Sequence, residues 1–291
     1  MKLEKIQEAL HVSDKYQVKP IVDLGFDSVH ASKIARLSRK DIKNPRILYL
    51  KNYEEMEDIG PDFESDNLIT DKYQFGKIAG IIEYTAFKIY KYLGLPIPKS
   101  VNIHFDFEND KHQLLVSSYK NTKTFGDLKG DKNKRDIYDN IFNNSVRNKV
   151  LLLTLFVGNN DFHGGNVATK FKGMKLTDHY FFDLELCFRN IKKTEPTFVV
   201  YLEKADELPM KEKRRQMNII KNIDMREINH IIDISMEHAK SVIKKSIPTG
   251  NRFKGSIVRK WNGIIDEVAV KIKGNLKANK KYLLERYPVW N

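Results

Sequence analysis

Two short segments decide the fold: Val157-Gly-Asn-Asn-Asp-Phe-His-Gly-Gly-Asn-Val167 and Tyr180-Phe-Phe-Asp-Leu-Glu185. In each, an apolar run leads into polar groups, which places two carboxylates and an amide on loops at the ends of buried elements. Asn166 follows Asp161 by five positions, and Asp183 follows Asn166 by seventeen. These are oxygen donors of the kind that Mg²⁺ prefers. A phosphoryl-transfer site needs this set, with one acid to take a hydroxyl proton and an amide and a second acid to hold the metal.

Other chemistries fit the same residues less well. His163 and Asp161 could share a metal such as zinc, but no second His or Cys follows at ligand spacing. Hydrolysis by a Ser-His-Asp triad lacks a Gly-x-Ser-x-Gly elbow. The Asp-to-Asn offset of five equals that of the protein-kinase catalytic loop H-R-D-x-x-x-x-N. A purely structural Asx-rich turn before a strand stays open as the alternative.

Length and composition favour a globular protein of one large domain or two modest lobes. The chain has 291 residues, of which 41% are hydrophobic and 31% charged, enough for a core under a charged surface. No uninterrupted apolar run approaches the ~18 residues that span a bilayer, and the charged N-terminal segment lacks the apolar centre of a signal peptide. The single cysteine, Cys187, excludes an internal disulfide and favours a reducing, cytoplasmic location.

The net charge of +13 permits contact with anionic lipid or nucleic acid. The lysines are spread along the chain, however, with only short clusters such as Lys211-Glu-Lys-Arg-Arg215. No zinc-finger spacing and no aromatic motif of an RNA-binding sheet is present. A solvated lysine-rich surface is therefore favoured, and phosphate-bearing substrates would also be attracted to it.

The first half contains a clear helix over residues 75–93, where apolar residues recur at helical spacing and Gly94 supplies a stop. Glu83 lies beside this apolar stripe, and a buried carboxylate requires a partner. Lys51, at the end of the β-rich run 46–51, is the candidate, although Glu83 could also be solvated or paired nearby. Two strands are predicted at 101–105 and 113–118.

A possible phosphate loop precedes these elements. Gly25 ends a short apolar strand, and a polar turn with Ser28 and Ser32 leads to Lys33. Backbone N–H groups, hydroxyls and a cation together can hold phosphates. An ordinary turn between strands has the same appearance, so both interpretations stay open.

The second half is predicted to be mainly helical. A polar connector at 119–134 leads to an internal helix at 137–157 that delivers the first segment. Asp224 and Glu227 match a capping box for a later helix. The last helix carries an apolar face, predicted to pack in the core, made of Ile257, Trp261, Ile264, Ile265, Val268, Ile272 and Leu276.

The loop Gly158-Asn-Asn-Asp-Phe-His-Gly-Gly-Asn166 resembles the G-N-x-D-x-H-x-x-N catalytic loop of HipA-type bacterial serine/threonine kinases. Phosphoinositide kinases share the related D-R-H-x-x-N form. Glu83-Tyr followed by Leu93-Gly-Leu-Pro-Ile-Pro98 is similar to the N-E…G-L-x-V-P helix of the HipA type. Ile47-Leu-Tyr-Leu-Lys51 resembles the strand with its ATP-contacting lysine, and Gly25–Lys33 more loosely resembles its phosphate loop.

This resemblance implies an α+β, two-lobed protein kinase-like fold. The smaller lobe, residues 1–119, would combine an antiparallel sheet with one helix, and the larger lobe, residues 120–291, would be mainly helical. ATP and Mg²⁺ are the implied cofactors, and Ser or Thr on a protein substrate is the implied acceptor. The implied catalytic residues are Asp161 and His163, and the implied metal ligands are Asn166 and Asp183. The implied nucleotide-binding residues are Gly25, Ser28, Ser32, Lys33, Lys51, Glu83, Val116 and Ser118.

The resemblance covers roughly residues 20–190 and has clear departures. Leu-Glu follows Asp183 where protein kinases have Phe-Gly, no Ala-Pro-Glu is found, and the tail after about residue 200 matches no known pattern. We also expect the extra N-terminal domain of the family to be missing, because too few residues precede Gly25. Three other functions remain open: a lipid kinase, another transfer from ATP such as nucleotidylation, and a nucleotide-binding pseudokinase or antitoxin-like module.

Overall fold

The computed structural model describes residues 16–20, 34–39, 47–51, 72–98, 101–107, 110–118, 123–129 and 134–288. The described chain is mixed α and β and mostly helical, as predicted. Its strands are β1 Tyr16–Pro20, β2 Ile34–Arg39, β3 Ile47–Lys51, β4 Val101–Asp106, β5 Lys111–Ser118, β6 Lys123–Thr124, β7 Val167–Lys172 and β8 Lys175–Phe181. Its helices are α1 Lys72–Tyr92, α2 Phe125–Leu128, α3 Arg135–Ile141, α4 Asn148–Val157, α5 Glu195–Asp206, α6 Met210–Asn222, α7 Met225–Ser246 and α8 Lys254–Arg286.

The strands form two small antiparallel sheets. The first has five strands in the order β1-β2-β3-β5-β4, and the second has the order β6-β7-β8. In the first sheet the backbone of Lys51 pairs with Ile34 on one side and with Leu114 on the other. The second sheet presents the end of β8, and therefore the Asp183 segment, beside the loop that precedes β7.

Helix α1 is buried over most of its surface, because Ile78 to Phe87 are all shielded from solvent. It ends at Gly94, which has a φ of 70°. Gly94 N donates to Lys91 O and Leu95 N donates to Tyr90 O, which is the Schellman pattern of helix termination. The predicted helix and its stop are confirmed. The helix packs on β5 so closely that a Cβ added at Gly80 would lie 2.8 Å from the carbonyl oxygen of His112.

The predicted internal helix is found in two parts, α3 and α4, joined by a π-helical turn at Phe142–Arg147. Every residue from Val150 to Val157 is buried, which explains the unbroken apolar run. The predicted connector at 119–134 contains β6 and α2 in its described part. Thr124 and Asp127 form a reciprocal capping box there.

The C-terminal helices pack against the first half of the chain. Helix α7 contacts α1 and β4, and α8 contacts α7, α4 and α6. Trp261 of α8 packs on Phe105 and His112, and its Nε1 donates to Asp110 Oδ1 at 2.6 Å. Burial lowers the pKa of His112 to about 3, which keeps its ring neutral in this contact.

Two details of this tail bear on the sequence predictions. The apolar face of α8 packs in the core, as predicted, with Trp261, Ile265 and Ile272 fully buried. Asp224 caps α7, but it accepts from Arg226 N, so the bond differs from that of the capping box predicted with Glu227. The division of the chain at residues 119 and 120 into two lobes stays a prediction.

Candidate active site

The first loop begins at Gly158, directly after α4. Gly158 has a φ of 70°, and its N–H donates to Leu155 O at 2.8 Å. A Cβ at this position would lie 2.2 Å from the carbonyl oxygen of Arg189. Phe188 N donates to Val157 O at 2.7 Å, and Arg189 N donates to Gly158 O at 3.2 Å. Only glycine tolerates both this backbone angle and the close approach of Arg189. Gly158 therefore determines the conformation at the base of the loop.

Asn159 anchors the loop to α1. Its Oδ1 accepts from Asp161 N at 2.9 Å, and its Nδ2 donates to the hydroxyl of Tyr90 at 3.0 Å. Burial, followed by the neighbouring Cys187, raises the pKa of Tyr90 well above its ordinary value, so the phenol stays neutral. Asn159 itself is buried. The conformation around Asp161 is therefore held by a buried amide.

Asp161 lies at the accessible end of a small hydrogen-bonded group. Asn166 Nδ2 donates to Asp161 Oδ2 at 2.7 Å and to Asp161 O at 2.9 Å. His163 Nε2 lies 3.3 Å from Asp161 Oδ1, and the side chain of Asp161 is 36% exposed. Because Asn166 uses its Nδ2 for these bonds, its Oδ1 is the atom that could bind a cation. The structure thus brings together three residues that the sequence singled out.

His163 is bound to the loop from both ring nitrogens. Its Nδ1 accepts from Gly165 N at 2.9 Å, while its Nε2 faces Asp161. The hydrogen bond with Asp161 raises the pKa of His163. The imidazole holds Asp161 in place from one side, as the Asn166 amide does from the other.

A second group of acids lies where β8 ends. Carboxylate oxygens of Glu83, Asp183 and Glu185 all lie within 4.8 Å of one another. Glu83 Oε1 accepts from Leu184 N at 3.1 Å. Glu83 and Glu185 are only 1% and 5% exposed. Carboxylates this close repel one another unless a proton or a cation lies among them, and an all-oxygen donor set fits Mg²⁺.

The two groups are connected through the backbone. Phe182 N donates to Asn166 O at 3.2 Å, so the residue before Asp183 is hydrogen-bonded to the end of the first loop. Asp183 has a φ of 62°, which few residues other than glycine, Asn and Asp tolerate. Its negative charge favours protonation of His163. Asp183 therefore lies near both groups of side chains.

The nucleotide-binding predictions are only partly covered by the described residues. Gly25, Ser28, Ser32 and Lys33 lie outside them. Lys51 and Ser118 are described as backbone in β3 and β5, so the pairing of the Lys51 side chain with Glu83 stays a prediction. Val116 of β5 is 9% exposed and packs in the core.

A scan against protein-family models gives no match, and a search of curated proteins gives none. Among solved structures, the chain is similar to the Helicobacter pylori proinflammatory kinase CtkA. The identity is 13% and the TM-score 0.44, over 92% of this chain and 96% of that chain. It is also similar to HipA in the Shewanella oneidensis MR-1 toxin–antitoxin complex of HipA, HipB and operator DNA. There the identity is 12% and the TM-score 0.38, over 97% of this chain and 72% of that chain.

Three residues near the site were not predicted from the sequence. Glu185 joins the acid group, and its place two residues after Asp183 was the available signal. Tyr201 of α5 lies close to the first loop. Its pKa is raised to about 12, mainly by burial and then by the charge of Asp161, while the backbone of Phe162 opposes this rise.

Asn279 of α8 is the third missed residue, and it joins the bases of both loops. It is fully buried. Its Nδ2 donates to Phe156 O at 3.2 Å and to Arg189 O at 2.7 Å, and its Oδ1 accepts from Ile191 N at 2.9 Å. No local sequence pattern marks such a residue, because its partners come from distant parts of the chain.

Proposed function

We propose that this chain is an ATP- and Mg²⁺-dependent phosphotransferase that acts on Ser or Thr hydroxyls of a protein. One observation carries the proposal: an accessible Asp161, held by Asn166 and His163, stands next to a buried group of carboxylates around Asp183. A phosphoryl transfer needs these two environments side by side.

Asp161 is the proposed proton acceptor. As the acceptor hydroxyl oxygen forms its bond to the γ-phosphorus of ATP, its proton passes to Asp161, and the bond from the γ-phosphorus to the bridging oxygen breaks to release ADP. Asn166 and His163 keep the carboxylate aimed at the hydroxyl. General-base help of this kind contributes about 10²–10⁴-fold to a rate.

Asp183, Glu185 and Asn166 Oδ1 are the proposed cation-binding groups, with Glu83 beside them. Mg²⁺ held there would neutralise charge on the phosphates of the nucleotide. Lys51 is proposed to contact the phosphates and to be oriented by Glu83. The segment that contains Val116 and Ser118 is proposed to contact the adenine, and the segment Gly25–Lys33 the phosphates.

A cytoplasmic location belongs to the same proposal, on the basis of the single, buried Cys187. Among the described residues, no helix has both the length and the apolar character required to cross a bilayer.

The test is incubation of the purified chain with γ-labelled ATP and Mg²⁺, for the wild type, Asp161→Ala and Asp183→Ala. Asp178→Ala is a matched control, because Asp178 is an exposed carboxylate on the same strand that leads to Asp183. We expect label on protein from the wild type and the control, and a loss of about 10²-fold or more in the other two.

Separate outcomes contradict separate parts of the proposal. Mg²⁺-dependent ATP binding without any phosphate transfer to protein would refute the kinase assignment, and label on phosphoinositide vesicles would then indicate a lipid kinase. If Asp183→Ala leaves the affinity for Mg²⁺-ATP unchanged, the metal assignment is wrong.

A further inference from the structure

A group of cations flanks the loop that contains Asp161. Lys129 lies beside this loop, because a Cβ added at Gly164 would lie 3.8 Å from Lys129 Nζ. Lys129 is paired with Asp139, and its Nζ lies 5.5 Å from the centre of the Phe142 ring. Its side chain is only 28% exposed. The position of this ammonium group beside the loop is therefore fixed by an ion pair and by packing.

Arg147 and Lys204 are the other two members. Both are half-buried, and burial lowers the pKa of each. Arg147 and Lys129 each lower the pKa of Lys204 further. The Phe142 ring under Lys129 Nζ belongs to the π-helical turn that ends at Arg147, which places Lys129 beside this turn. Two neighbouring acids partly offset these effects: Glu207 and Asp139 raise the pKa of Arg147, and Glu207 also raises the pKa of Lys204.

Neither Arg147 nor Lys204 forms an ion pair within the described part of the chain. The Nε of Arg147 is also inaccessible and without a hydrogen-bond partner. Burying Arg147 and Lys204 in part without ion pairs costs free energy. A bound anion would offset part of this cost. The arrangement is thus suited to an anionic ligand that is supplied from outside.

Lys204 belongs to α5, the helix that approaches Asp161. Tyr201 of α5 is close to Asp161 and to the backbone of Phe162. Lys204 follows Tyr201 by one helical turn, and Val200, which is 53% exposed, shares a helix face with Lys204. Helix α5 therefore presents a cationic and an apolar side chain within about one turn of Tyr201, which lies close to the proposed proton acceptor.

We propose that Lys129, Arg147 and Lys204 form a subsite for acidic side chains that flank the phosphorylated Ser or Thr of a protein substrate. The inference rests on the proposed function, because it assigns a substrate class to the same site. A peptide is favoured because an extended chain advances about 3.3 Å per residue. It can therefore place a hydroxyl at Asp161 and an acidic side chain a few residues away beside Gly164 and α5. The exposed Val200 also suits an apolar peptide side chain.

Binding is measured first, since it does not depend on catalysis. The probes are three fluorescent peptides with one central Ser and flanks of Glu, Gln or Lys, and the readout is anisotropy. The proteins are the wild type, the double variant Arg147→Gln/Lys204→Gln and a control, Lys244→Gln/Lys245→Gln. The control removes the same charge from exposed positions at the end of α7.

We expect the wild type and the control to bind the Glu peptide at least about tenfold more tightly than the Gln peptide, as for charge-assisted contacts. The double variant should reduce this preference to about threefold or less. Circular dichroism establishes that the double variant is folded, and Lys204→Gln alone, an easier change for the fold, should show part of the loss. Equal binding of the Glu and Gln peptides by the wild type, or an unchanged preference in the double variant, overturns the proposal.

Phosphate transfer to the same peptides separates this inference from the proposed function. If the peptides are phosphorylated without preference for acidic flanks, the subsite is wrong and the kinase assignment stands. If the Glu peptide binds through Arg147 and Lys204 but neither the peptide nor the chain itself receives phosphate, a site for acidic peptides stands and the kinase assignment fails. Arg147- and Lys204-dependent binding to phosphoinositide vesicles in place of the Glu peptide would refute a peptide subsite.

Discussion

Asp161 and the group of acids formed by Glu83, Asp183 and Glu185 differ in their surroundings. Asp161 is 36% exposed and is bound by an amide and an imidazole, which keep its position without closing it off. Glu83 and Glu185 are almost fully buried, and Glu83 accepts a backbone N–H. A carboxylate that exchanges a proton with a substrate must be reached by it, whereas carboxylates that hold a cation are better shielded from water. The difference in burial therefore agrees with the two chemical roles proposed for these acids.

Both groups nevertheless depend on one backbone crossing. At this crossing, Gly158, directly after α4, lies against Arg189, which follows the acid group. Arg189 N donates to Gly158 O, and the backbones are so close that a Cβ on Gly158 would lie 2.2 Å from Arg189 O. Asn279 binds carbonyl groups on both sides of this crossing. Changes at the crossing should disturb both groups, and changes within one group should leave the other intact.

The largest effect is expected from Gly158→Ala. The added Cβ would lie 2.2 Å from Arg189 O at a φ of 70°, so the crossing must open. We expect a loss of at least about 3 kcal/mol in the free energy of unfolding, together with loss of metal binding and phosphate transfer. Denaturant unfolding measures the first quantity.

Gly173→Ala is the matched control for this change. Gly173 has a similar φ of 62°, but a Cβ there would have no atom within 4 Å. It should cost only about 1 kcal/mol, from the backbone conformation alone. Equal losses in the two variants would show that the crossing at Arg189 contributes nothing.

The next effect concerns cation affinity. Glu185→Gln removes a charge from the buried group, and we expect the affinity for Mn²⁺ in the presence of ATP to fall by about 10–100-fold. Asp161→Asn changes the exposed group and should alter this affinity by less than about threefold, while it removes phosphate transfer. Isothermal titration calorimetry measures the Mn²⁺ affinity of both variants. The proposed division of roles is wrong if Asp161→Asn lowers the affinity for Mn²⁺ as much as Glu185→Gln does.

Local features of this site were predictable from the sequence. The apolar run that ends in polar residues, together with the Asp-to-Asn offset of five, identified the loop with Asp161 and Asn166. The helical spacing of apolar residues, with Gly94 as a stop, identified α1. Such features depend on neighbours along the chain, whose geometry is set by backbone periodicity and turn chemistry.

Features that depend on distant partners were not predictable. The apolar stripe of α8 indicated burial, but it could not indicate that Asn279 binds Phe156 and Arg189. Likewise, the Asp-Leu-Glu order did not show that the Glu185 carboxylate lies within 4.8 Å of that of Glu83, because these two residues are far apart in the sequence.

A comparison of two buried amides sharpens the role of the crossing. Asn279 binds the C-terminal end of α4, whereas Gln216 of α6 binds its N-terminal end. Gln216 accepts from Leu152 N at 2.9 Å and donates to Asn148 O at 2.7 Å. Both side chains are fully buried. Replacing either by Ala should cost about 1–3 kcal/mol, because buried backbone groups lose their partners.

Only Asn279→Ala should also affect the reaction. We expect kcat for phosphate transfer to fall about tenfold in Asn279→Ala and to stay within about twofold in Gln216→Ala. The assay is run at a temperature where both variants are folded. Equal losses of kcat would mean that α8 supports the site only through overall stability.

The smallest effect is expected from the charge of His163. Asp161 raises the pKa of His163 in the folded chain, so the protonated ring stabilises the fold. This contribution is complete below the ordinary value of about 6.5, and it is lost as the pH rises through the raised value. It is small because the side chain is 55% exposed and because the Gly165 N–H donated to Nδ1 opposes protonation there. The melting temperature of the wild type should therefore exceed that of His163→Asn by about 1–3 °C more at pH ~5.5 than at pH ~8.5. A difference that is equal at the two pH values would show that His163 acts only as a neutral hydrogen-bonding group, and a larger difference at the higher pH would contradict the direction of the pKa shift.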